Sequence, residues 1–113
     1  MTTLKRQNDV LSSLDERLRF AIARKRLIEF SYKGARRVAE PHDYGVQKNA
    51  VKLLVYQHRA SIGGRPRDRA TGWRLLDVPL IIDCTVLDDT FRGSRGDQHD
   101  KHYGWDVLYA RVD

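Results

Sequence analysis

The sequence predicts a mainly β fold: a small antiparallel barrel of six short strands, with one helix near the N-terminus covering an opening. Three observations carry that expectation. From Leu27 onward apolar residues recur with period two, as half-buried strands require. The runs so formed are short and separated by turns containing Gly or Pro. Helical spacing occurs in a single stretch, Leu11, Leu14, Leu18 and Ile22, widened by Ala21.

The elements follow in order. A flexible leader is expected over residues 1–12, of which Met1–Asn8 shows no periodicity, and one domain over 13–113. Ser13-Leu14-Asp15-Glu16 fits a capping box, so a helix is predicted from Ser13 to Lys25, with Arg17, Arg19, Arg24, Lys25 and Arg26 on its solvated side. Ile28, Phe30 and Tyr32 alternate with Glu29, Ser31 and Lys33 in a first strand. Gly34 turns the chain into a second strand that is expected to end, or to run along an edge, at Pro41, which donates no backbone hydrogen bond. Gln47-Lys48-Asn49 is the next turn, Ala50–His58 the third strand and Gly72–Asp77 the fourth. A fifth strand is expected over Leu80–Leu87, a loop over Arg92–Asp97, and a last edge strand from Trp105 to Arg111.

At 113 residues the chain matches one domain, and 41% hydrophobic with 32% charged residues is too apolar and too patterned for wholesale disorder. The net charge of +6 is unevenly spread. Residues 1–75 hold 17 Lys and Arg against 7 Asp and Glu, whereas residues 76–113 hold 4 against 8. Such asymmetry points to a polyanionic partner, because cations that neutralise phosphates release condensed counterions. A solvated basic surface, screened by the acidic C-terminal part, is the competing reading. No apolar run spans a bilayer and no signal-peptide core is present, so a cytoplasmic protein without membrane contact is expected. The lone Cys84 lies in an apolar stretch and is expected to pack rather than react.

No phosphate loop, nucleophile elbow, helical zinc motif or cysteine pair is found, so no enzyme, no cofactor and no metal are expected. His99 and His102 with Asp97 offer metal-binding atoms without specific spacing, and a solvated loop explains them. Basic residues interleaved with aromatics are the stronger signal. Tyr32, Tyr44, Tyr56 and Trp73 stand among Arg36, Arg37, Lys52, Arg59 and Arg74, an arrangement by which small barrels hold single strands, although Tyr32 and Trp73 are expected in the core. The densest basic stretch runs from His58 to Arg74. It carries Arg59, Arg65, Arg67, Arg69 and Arg74 against Asp68 alone, on an expected loop between paired strands whose stems are better candidates than its tip.

Ala21-Ile22, Leu27–Tyr32, Arg37-Val38-Ala39-Glu40-Pro41-His42, Leu54-Val55-Tyr56-Gln57 and Gly72-Trp73-Arg74-Leu75 together resemble the WYL domain family, over roughly Leu18 to Phe91. The likeness is nearest to short, free-standing bacterial members. It implies an Sm-like (SH3-like) β-barrel and a sensor or regulatory module for nucleotides or single-stranded nucleic acid, found in transcription regulators and phage-defence systems. The chain departs from the pattern at two places: the name-giving triplet falls on Lys52-Leu53-Leu54, and Asp77 stands where larger members carry an arginine. By position the resemblance points to Arg74, His42, Tyr56 and Gln57. The charge argument adds Arg36, Arg37, Lys52 and Arg59, with Arg65, Arg67 and Arg69 on the loop.

The expected function is a non-enzymatic module that binds a nucleotide or single-stranded nucleic acid on this basic face. The alternative is a protein-interaction or homodimerisation module that uses barrel edge strands, motivated by Tyr103-Gly104-Trp105 and the last strand.

Overall fold

The structure, a computed structural model, describes residues 13–96 and 104–113. The leader, and the candidate ligands Asp97, His99 and His102 together with Tyr103, lie outside them. The capping box forms as its spacing dictates: Ser13 Oγ accepts from the Glu16 amide at 3.1 Å, and Glu16 Oε1 accepts from the Ser13 amide at 3.4 Å. It opens helix α1, Leu14–Arg24, which ends where Lys25 turns left-handed. α1 buries Leu18, Ala21 and Ile22 against Ile28, Phe30, Leu53, Val55 and Val86. Its exposed side reaches the sheet as well, because Tyr44 donates its hydroxyl to Asp15 at 2.7 Å. That bond holds the Asp15 carboxyl below its usual range.

Seven strands follow among the described residues: β1 (Arg26–Tyr32), β2 (Ala35–Gln47), β3 (Ala50–Ile62), β4 (Arg65–Pro66), β5 (Gly72–Asp77), β6 (Ile82–Thr90) and β7 (Val107–Arg111). Lys33-Gly34, Lys48-Asn49 and Gly63-Gly64 join the first four as tight hairpins. Both central residues of each turn have positive φ, the geometry that matches the strand twist. All pairings are antiparallel, in the order β4-β3-β2-β1-β6, with β5 also on β3 and β7 also on β2. The sheet curls into a half-barrel over the helix, and among the described residues no pairing joins β4 or β5 to β6. No helix among the described residues is long and apolar enough to cross a membrane.

Three expectations are corrected. β2 does not stop at Pro41 but runs on to Gln47. β1 leaves β2 at Ala39 and β7 joins it only at Asp43, so Pro41 sits in the gap between two neighbours, where its missing amide costs no ladder bond on that edge. Val78–Leu80 form a single 3-10 turn, which tolerates Pro79 near its start, and β6 begins two residues later than Leu80. The third strand continues past His58 to Ile62 and makes a hairpin with the two-residue β4, the strand missing from the expected six.

Candidate anion-binding cleft

The basic excursion is an insertion between two strands that pair directly, Gln57 opposite Gly72 and Tyr56 opposite Trp73. Its return limb, residues 67–71, is tied down through its carbonyls. Gln57, which is 1% exposed, donates Nε2 to the Ala70 carbonyl at 2.6 Å and accepts Arg37 Nη1 on Oε1 at 3.0 Å. Arg74 donates to the carbonyls of Arg69 and Trp73, each at 2.9 Å, while the Arg67 amide donates to the Ala60 carbonyl. Arg37 is fixed from the other side by the Tyr32 carbonyl at 3.2 and 3.3 Å.

These bonds shape a hollow of about 170 Å³ lined by Arg37, Arg67, Arg69 and Arg74 with Gln57 and one acid, Asp68. Four arginines thus line one hollow, and none of them forms an ion pair among the described residues. The crowding registers on Arg37. Burial first, then the nearby charges of Arg74 and Arg67, lower its pKa. A neighbouring anion would relieve the excess positive charge, which suits the site to phosphate.

Three of the eight sequence-predicted site residues meet here: Arg37, Gln57 and Arg74. The others lie elsewhere. Arg36 is bound by Glu29, Ser31 Oγ and the Asp83 carbonyl, and with Arg59 it borders a different hollow. Lys52 pairs with Asp77. Tyr56 is half-buried under the Arg95 guanidinium, 3.6 Å from the ring centroid. His42 is fully buried, edge-on to Trp73 at 4.8 Å. From the excursion, Arg67 and Arg69 join the cleft and the exposed Arg65 does not.

Sequence reasoning missed a second cluster, built on two β-bulges. Val38 pairs Arg59 and Ala39 pairs Gln57, leaving His58 as the extra residue of β3; Pro41 pairs Val55 and Asp43 pairs Leu54, leaving His42 as the extra residue of β2. Bulges re-aim side chains, and both imidazoles turn to the carboxylate of Glu40. Oε1 accepts His42 Nε2 at 3.0 Å and Arg95 Nε at 2.8 Å, while Oε2 accepts His58 Nε2 at 2.6 Å and Arg95 Nη2 at 2.7 Å. Burial, the largest influence, pushes the Glu40 carboxyl up, but the bonds from Arg95, His58 and His42 outweigh it and bring the pKa down to about 2. The Glu-Pro-His segment was the available signal. Among the described residues no group of three or more His, Cys, Asp or Glu is placed to hold a metal ion.

No family model matches the sequence, and comparison with curated proteins and with solved structures likewise yields no match.

Proposed function

We propose that this chain is a non-enzymatic regulatory module of the WYL kind, whose arginine cleft holds the phosphates of a nucleotide or of single-stranded nucleic acid. One observation carries the reading: four arginines line one concavity, with Asp68 as the only acid among its described lining residues. Arginine forks match phosphate geometry, and the uncompensated charge gives the long-range attraction that a polyanion answers. The curled antiparallel sheet and the N-terminal helix suit an Sm-like barrel as its scaffold. A cytoplasmic setting agrees with the single buried cysteine, whose thiol burial pushes up to about 12.

The test is a fluorescence-anisotropy titration of short single-stranded DNA and RNA across a salt series. Affinity should fall as salt rises. The double variant Arg67→Ala/Arg69→Ala should bind at least about tenfold more weakly at low salt, with a log–log salt slope shallower by about 1.4 if each arginine meets one phosphate. No saturable binding at low salt, or an unchanged slope in the variant, would sink the proposal.

A second reading rests on a separate observation. Val107, Leu108 and Tyr109 are consecutive on β7 and are 50, 40 and 37% exposed, on a strand whose only sheet neighbour among the described residues is β2. That edge suits pairing with a second copy of the chain.

A further inference from the structure

A larger hollow, of about 370 Å³, opens beside the Glu40 cluster, between the bulge at His58 and the chain leaving β6. The segment that walls it is held by the backbone: the Phe91 amide donates to the Lys25 carbonyl at 3.0 Å and the Ser94 amide to the Asp113 carbonyl at 2.9 Å. Its chemistry follows from how Glu40 is used. All four acceptor positions of that carboxylate are filled, two of them by Arg95, so its charge is met inside the protein and leaves nothing over for a ligand. A carboxylate held ionised only accepts, which makes Nε2 of His58 the donor. In the neutral imidazole Nδ1 is then an acceptor, on a side chain that is 33% exposed where it lines the hollow.

The remaining wall sets the sign and shape of an occupant. Arg92 is exposed and forms no ion pair among the described residues, so it gives the hollow a net positive charge. Phe91 is half-buried, tilted against His42 at 5.3 Å, and Ser94 adds a hydroxyl. The volume lies within the range of roughly 300–1,000 Å³ typical of small-molecule sites, which the arginine cleft falls well short of.

We propose that this hollow is a second ligand site, distinct from the arginine cleft, that takes a small planar anion. A flat ring lies along Phe91, a ring-borne N–H or O–H meets Nδ1 of His58, and the acidic group meets Arg92. Glu40 and Arg95 act as positioning residues that fix the imidazole. The site is independent of the proposed function, so failure of nucleic-acid binding at the cleft leaves it standing.

The experiment is an NMR titration of the full chain with 5′-AMP, 5′-CMP and 2-aminobenzoate, with adenosine and inorganic phosphate as controls. At least one of the three ring-bearing anions should saturate with a Kd below about 1 mM, moving the amides of Phe91 to Ser94, and both controls should bind more weakly. Arg92→Ala, at an exposed position where folding is not at stake, should weaken the saturation read at the Phe91 to Ser94 amides about tenfold, whereas Arg67→Ala/Arg69→Ala, which weakens any mononucleotide held at the arginine cleft, should leave the saturation at those amides unchanged. The relative affinities of the mononucleotides and the aminobenzoate identify which source of planar anion the hollow prefers. The proposal is overturned by an absence of saturation for all three, by phosphate alone binding as well as they do, or by an effect that follows the Arg67/Arg69 variant instead of Arg92.

Discussion

Glu40 is 3% exposed and keeps its charge inside the protein because two histidines and one arginine donate to it. The same bonds tie stability to pH. The carboxyl titrates near 2 when folded and near its ordinary 4.5 when unfolded, so its contribution is complete above about pH 4.5 and is lost as pH falls toward 2. Acid denaturation followed by circular dichroism should therefore begin below about pH 4.5. Glu40→Gln should flatten that acid limb and, by leaving the buried His42 and the exposed Arg95 against a neutral amide, cost roughly 1–3 kcal/mol at neutral pH. An unchanged acid profile in the variant would show that Glu40 does not carry the dependence. At this scale the sequence was only partly legible. Glu40 and His42 stand two apart and could be paired by eye, but Arg95 arrives from 55 residues away, and His58 is aimed by a bulge that one strand alone does not reveal.

Gly45 decides how β7 can join β2. A Cβ built there would lie 2.1 Å from the Val107 carbonyl oxygen and 3.0 Å from the Leu108 Cα, far inside contact distance. The pairing is also irregular at this point, with Tyr44 opposite Ala110 and Gly45 opposite Leu108, so β7 passes unusually close to a residue that has no side chain. Gly45→Ala is expected to displace β7 and destabilise the fold by about 1–3 kcal/mol, as overpacking does, with hydrogen exchange rising at Val107 to Arg111 while the β1–β2 hairpin stays protected. Uniform loss of protection, or none, would contradict this. Elements specified by neighbours along the chain were readable beforehand: the Ser13/Glu16 capping box, the Lys33-Gly34 and Lys48-Asn49 turns, and β5 at Gly72–Asp77. Elements specified by a change of partner were not. β2 swaps β1 for β7 around Pro41, and nothing local to that segment encodes a new partner more than 60 residues further along the chain.

Across the whole molecule the two exposed features of the sheet are served by different strands. The arginine cleft is lined from β2, β3, β5 and the return limb of the excursion, whereas the apolar edge belongs to β7, which among the described residues pairs only with β2. β7 is anchored there by Arg111, whose guanidinium holds the buried Asp43 at 3.0 and 3.2 Å, and by the Val112 amide on the His42 carbonyl. A firmly held edge with three exposed apolar side chains is a template for a twofold strand pairing, and such a dimer would carry two clefts on one continuous sheet. Two linked clefts raise avidity for a polymer without changing the contacts to a single nucleotide. Light scattering coupled to size exclusion should accordingly give a dimer mass that Leu108→Lys converts to a monomer, since an edge lysine opposes strand addition. The monomeric variant should keep its affinity for a mononucleotide and lose affinity for single strands long enough to reach both clefts. A wild-type chain that stays monomeric at high concentration would rule out the paired edge, and a variant that loses both affinities together would show that β7 supports the fold of the cleft and does not act through dimerisation.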